Sequence, residues 1–118
     1  MKLVIDERPD GVAVASWPER TALDASNAEE MRRQLGEVSQ RCPRLVLDMS
    51  TVDFVDSSII GALVGLLRRT RAAGGDTKLV TLTPEVETIF ELTRLQRVFR
   101  VLPSVEDAVR DFQTPVGQ

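Results

Sequence analysis

Histidine and tyrosine are absent from this chain, and cysteine occurs once, at Cys42. Each gap excludes chemistry. Without histidine, the Ser-His-Asp and Cys-His arrangements that activate a nucleophile cannot be assembled, and neither can a zinc site of the usual cysteine and histidine ligands. Without tyrosine as well, general acid–base work falls to carboxylates or lysine. The chain is therefore not expected to be an enzyme, and no cofactor or metal is expected. One cysteine forms no internal disulfide, which fits a reducing cytoplasm. No apolar run approaches the roughly 20 residues that span a bilayer, and the N-terminus carries no signal-peptide pattern. A cytoplasmic protein without membrane insertion is the expectation.

What is present describes one globular unit. The 118 residues are 42% hydrophobic and 28% charged, the balance of a globular domain rather than a disordered chain. A net charge of −3 and a pI near 5.0 argue against general binding to nucleic acid or anionic lipid. "TPVGQ", residues 114–118, reads as a flexible C-terminal tail, leaving 1–113 as the domain.

Along the chain, "KLVIDE" and "VAVASW" are strand candidates, with Val12 and Val14 on one face of the second. Pro9-Asp10-Gly11 between them predicts a turn. "SNAEEMRRQLGEV" predicts a helix with Ser26 and Glu29 as a capping box and Met31, Leu35 and Val38 facing inward. "RLVLDM" hardly alternates and reads as a central strand. A loop through Asp53 leads to a helix from about Ser57 to Ala73, ended by Gly74-Gly75. "TKLVTL" is another buried strand. Thr83-Pro84 opens a third helix as N-cap and first helical residue, with Val86, Ile89, Phe90 and Thr93 on one face. "RVFRVL" is the last strand, and Ser104 caps a final helix carrying Val105, Ala108, Val109 and Phe112. The order β-β-α-β-α-β-α-β-α implies a largely parallel sheet with one antiparallel hairpin.

The helix "DSSIIGALVGLLRRT" holds the candidate site. On a helical wheel Ile60, Leu63 and Leu67, flanked by Ile59 and Val64, form a core stripe. Roughly opposite lie Gly61, Gly65 and Ala72, with Arg68 among them. A helical glycine costs about 1 kcal/mol relative to alanine, so two on one face imply a close approach. That approach is either packing inside the domain or the docking of a partner. Asp56 is the expected N-cap, placing Ser57 and Ser58 in the first turn. A phosphate there meets free backbone donors and the positive end of the helix dipole, opposed by Asp56 and Asp53. Spacing alone is equally satisfied if both serines merely cap.

The run from "RLVLDMSTVDFVDSSIIGALVGLLRRTRAAGGDTKLVTL" onward, with "LDASNAEEMRRQL" before it and "SVEDA" after it, resembles the STAS domain of bacterial anti-sigma factor antagonists. Its most specific part is strand, "D-S-S", helix, "GG", strand. The resemblance implies an α/β domain with a mixed four- to five-stranded sheet and about four helices packed mainly on one face. It implies that the unphosphorylated protein binds an anti-sigma factor that is also a serine kinase, releasing the sigma factor. Phosphorylation of Ser57 ends that binding, and a PP2C-type phosphatase restores it. It further implies a partner surface made of Asp53, Asp56, Ser57, Ser58, Ile59, Gly61, Ala62 and Gly65. Two positions depart from the family pattern: Ile59 and Thr21 stand where glycine is usual.

STAS domains also serve as scaffolds or accessory subunits in stress-signalling assemblies and lipid-transport complexes, which is the alternative reading. A nucleotide-binding module is disfavoured because "GALVG" lacks the spacing and lysine of a phosphate-binding loop. A receiver domain with Asp48 as phosphoacceptor lacks the lysine expected after its last strand. Arg68, Arg69 and Arg71 read as a solvated helix face, and Asp48 and Asp53 as turn and capping residues.

Overall fold

Gly11 takes a φ of 83° at the end of the Pro9-Asp10-Gly11 turn, so β1 (Val4–Glu7) folds back on β2 (Ala13–Ser16) as an antiparallel pair. The computed structural model describes residues 1–113, and the expected tail at 114–118 lies outside the described residues. After the hairpin come β3 (Thr21–Leu23), α1 (Ala25–Arg41), β4 (Arg44–Asp48), β5 (Val52–Val55), α2 (Ser57–Ala72) and β6 (Asp76–Val80). The chain continues through α3 (Pro84–Thr93), β7 (Arg100–Leu102) and α4 (Val105–Gln113). The main sheet has five strands in the order β1-β2-β4-β6-β7, parallel from β2 onward.

The central position of β4 explains its unbroken apolar run, because both of its faces are covered. Leu45 and Leu47 join Ala13, Ala15 and Leu79 in a core closed by Met31 and Leu35 of α1, Leu63 and Leu67 of α2, and Val86 and Phe90 of α3. Val46 points the other way and packs with Val12, Val80, Ala108, Val109 and Phe112. Three helices thus supply one core and α4 alone the other.

Three local expectations need correction. The N-cap of α1 is Asp24, not Ser26, and its capping box closes through Asn27 rather than Glu29. Asp24 accepts from the Ser26 N–H and hydroxyl, so Ser26 is a donor to the cap. The last strand is shorter than "RVFRVL", because Leu95–Arg97 forms a single 3-10 turn before it. Residues expected as loop before α2 include β5, which pairs in parallel with β3 as a separate two-stranded sheet. Segments this short, with partners about thirty residues apart, carry no period that marks them as strands.

The clasp that holds α4 to the sheet is electrostatic at its edge. Asp111 accepts from the buried Lys78 Nζ and, at 3.0 and 3.2 Å, from the Arg100 guanidinium. Lys78 also lies 4.3 Å from the centroid of the Phe112 ring, a cation–π contact. The Arg100 and Lys78 donors push the Asp111 carboxyl down to about 2 from 3.8. A depressed folded value gives stability that is complete above the unfolded value and lost as pH falls through the folded one. Thermal melts should therefore show wild type losing stability between about pH 4 and 2, whereas Asp111→Asn should be less stable at neutral pH and flatter across that window. Parallel curves for the two proteins would remove Asp111 from this role.

Candidate functional site

The site forms where β4, β5 and α2 follow one another. Asp48 turns the chain as it leaves β4 by accepting from the Ser50 N–H at 3.1 Å. Thr51 then fixes the next segment, its hydroxyl donating to the Trp17 carbonyl at 2.6 Å while its own carbonyl accepts from the Thr21 N–H at 2.8 Å. In the β3–β5 pair Thr21 lies opposite Val52 and Ala22 opposite Phe54, so the register skips Asp53. That skip works as a β-bulge, which re-aims side chains. Val52 and Val55 both turn inward, and Phe54 turns out with 46% of its surface exposed. Asp53 is half-buried, 3.9 Å from the Arg20 guanidinium.

Asp56 caps two helices at once. One carboxylate oxygen accepts from the Ile59 N–H at 3.1 Å and the Ser58 hydroxyl at 2.5 Å, while the other accepts from the Ala25 N–H, at the start of α1, at 2.9 Å. The Ser58 hydroxyl, with smaller help from the Ile59 and Ala25 N–H groups, holds the Asp56 carboxyl below the usual carboxylate range against the opposing effect of desolvation. Asp56 is accordingly an anion at neutral pH. The positive ends of α1 and α2 both face it, so donors expected to be free for a phosphate are in part already committed.

The adjacent serines differ. Ser58 is half-buried and donates to Asp56. Ser57 is exposed, and its hydroxyl has no partner among the described residues. Sequence spacing left the two equivalent, and the cap geometry separates them.

Along α2 the buried residues are Ile59, Ala62, Leu63, Leu66, Leu67 and Thr70. This sector is wider than the expected stripe because α2 packs against α1 as well as β6. Ile60 and Val64 fall at its margins, half-buried. The expected partner surface is corrected accordingly: Ile59 is 0% and Ala62 4% exposed, so neither has surface to offer. Gly61 is exposed and Gly65 half-buried. A Cβ on either would meet nothing within 4 Å, so packing inside the domain does not explain them. Asp53, Asp56, Ser57, Ser58, Gly61 and Gly65 retain surface around the start of α2.

Sequence reasoning missed Phe54 and Ala25. Simple alternation puts Phe54 on the same face as the buried Val52, and only the skipped register reverses that. The Ala25 N–H lies 31 residues from Asp56, a distance at which no local signal operates. Among the described residues no group of three or more potential metal-ligating side chains is brought together, and no helix is long and apolar enough to cross a membrane.

Comparison with known proteins places these features in a family. The STAS domain family model matches residues 18–108. The Bordetella bronchiseptica protein BtrV, whose name groups it with the anti-sigma factor antagonists, is 29% identical over 115 residues, 97% of each chain. An anti-sigma factor antagonist domain protein of Planctomyces limnophilus superposes with a TM-score of 0.84 at 20% identity, over 95% of this chain and 98% of that one. SpoIIAA of Bacillus has been solved in unphosphorylated and phosphorylated forms. They match with TM-scores of 0.70 and 0.69 at 19% identity, over 93% of this chain and 96% and 98% of theirs.

Proposed function

The chain belongs to the STAS domain family, and from that premise we propose that it is an anti-sigma factor antagonist switched by phosphorylation of Ser57. The observation that carries the reading is the contrast between the exposed Ser57 hydroxyl, unpartnered among the described residues, and the Ser58 hydroxyl bound to Asp56. In the active form the start of α2, with the unmodified Ser57 and the open face at Gly61 and Gly65, docks on an anti-sigma factor that is also a serine kinase. The sigma factor is thereby released.

The same partner ends the interaction. The Ser57 Oγ attacks the γ-phosphorus of ATP, and the bond from that phosphorus to the bridging oxygen breaks. The hydroxyl proton passes to a base on the kinase, and phosphoserine and ADP result. The new group adds about −1.5 to −2 charges next to the Asp56 carboxylate, whose anionic form is favoured by its donors. Desolvating two adjacent anions under a docked protein costs far more than desolvating a hydroxyl. The phosphorylated form therefore dissociates. A PP2C-type phosphatase uses water to return serine and inorganic phosphate.

Reconstitution tests this. Wild type and Ser57→Ala should displace sigma factor from its complex with the anti-sigma factor, and Ser57→Asp should do so at least tenfold less effectively. Equal displacement by Ser57→Asp and Ser57→Ala would count against electrostatic control, and no displacement by wild type would end the antagonist reading.

A further inference from the structure

Phe54 is out of place for its residue type. Trp17, Phe90, Phe99 and Phe112 are all buried in the two cores, and Phe54 alone among the described aromatic residues is exposed. It projects from β5 opposite Ala22, which is also exposed. Ser57 and Gly61, three and seven residues further on, are exposed as well, and the Asp53 and Asp56 carboxylates between and beside them are half-buried. The register skip at Asp53 creates this arrangement, since an unbroken pairing would bury Phe54 beside Val52.

Resting on the reading of Ser57 as the kinase's acceptor, we infer that Phe54 is the aromatic anchor by which the kinase-type anti-sigma factor grips this domain. Phosphoryl transfer requires the Ser57 oxygen to enter the kinase active site, which places Ser57 near the centre of the contact. Three residues of chain reach at most about 11 Å. A standard interface of about 800 Å² per partner has a radius of about 16 Å. Phe54, exposed and this close to Ser57, is therefore within reach of that footprint. Large aromatic side chains near the centre of an interface supply much of its binding energy, and charge is depleted around them. The matching partner surface is an apolar cleft beside the kinase's ATP site. Grip through Phe54 is independent of the phosphate, so it sets affinity in the unmodified state while Ser57 sets the switch.

Val98 provides the control. It is an exposed apolar residue whose carbonyl accepts from the Arg71 guanidinium at 3.0 Å, and Arg71 stands about 21 Å along α2 from Ser57. The test titrates each purified kinase-type anti-sigma factor of the source genome with wild type, Phe54→Ala, Phe54→Leu and Val98→Ala, and follows phosphorylation with ATP. Phe54→Ala should bind about 30-fold more weakly, with KM raised and kcat unchanged, because uniform binding is lost without change at the reacting atoms. Phe54→Leu, the variant less disruptive to β5, should lose less, and Val98→Ala nothing. If wild type binds none of these factors, the functional reading falls and the anchor with it. If wild type binds and either Phe54→Ala matches it or Val98→Ala is equally weakened, the anchor alone is overturned.

Discussion

Ser57→Ala should take up no phosphate from the cognate kinase and ATP, while Ser58→Ala should be modified as wild type is. The two hydroxyls are neighbours in sequence but not in circumstance. For Ser58 to attack phosphorus, its Oγ must rotate away from Asp56 and give up a 2.5 Å hydrogen bond. That bond is also the largest influence holding the Asp56 carboxyl low. Ser57 gives up nothing, being exposed and unpartnered among the described residues. Removing the Ser58 hydroxyl lets the Asp56 carboxyl drift back toward its ordinary value of 3.8. It remains an anion at neutral pH and still caps α2 through the Ile59 N–H. The acceptor in Ser58→Ala therefore keeps its setting. Intact-mass measurement and peptide mapping decide the matter, and phosphate found on Ser58 in wild type would overturn the assignment.

The largest expected loss of stability is at Gly75. A Cβ there would lie 2.1 Å from the Pro43 carbonyl oxygen and 2.5 Å from its carbon, separations that backbone atoms cannot accept. The chain cannot simply move aside. The Gly75 N–H donates to the Thr70 carbonyl at 2.8 Å, and the Asp76 N–H to the Pro43 carbonyl at 3.0 Å, fixing the entry of β6 beside β4. Relief of the clash distorts both bonds and the start of two central strands. Gly75→Ala should cost about 3 kcal/mol or more, a fall in Tm of roughly 12 °C for a domain of this size. Gly61→Ala makes the contrast. Nothing meets its Cβ within 4 Å, and alanine is the better helix former by about 1 kcal/mol. Its Tm should rise slightly. A Gly75→Ala protein that melts with wild type would show that the Pro43 carbonyl can yield.

These glycines also show where reading from sequence succeeds and where it stops. Gly61 and Gly65 imply a close approach, by packing inside the domain or by a docking partner, and nothing in the domain meets a Cβ at either. Of the Gly74-Gly75 pair at the end of α2, Gly74 is the helix stop, at a φ of 86°. Gly75 is instead the glycine at which another segment's backbone draws near. Helical spacing locates glycines on a face, but what lies opposite that face is decided by packing.

Features under local control are readable along the chain. The Thr83-Pro84 start of α3, the Ser104 cap of α4, the inward line of Met31, Leu35 and Val38, and the central place of β4 all follow from residues within a few positions of one another. Side-chain-to-backbone bonds and the helical period act over that range. The Asp56 N-cap of α2 is legible for the same reason, whereas the role of the serines after it rests on the family resemblance. Long-range packing set the rest. It paired β3 with β5, skipped Asp53 and so turned Phe54 outward, and brought the Ala25 N–H to the Asp56 carboxylate. It also buried Ile59 and Ala62 by packing α2 against both α1 and the sheet. Each of these depends on which distant segments meet, and a pattern of neighbours along the chain holds no record of that meeting.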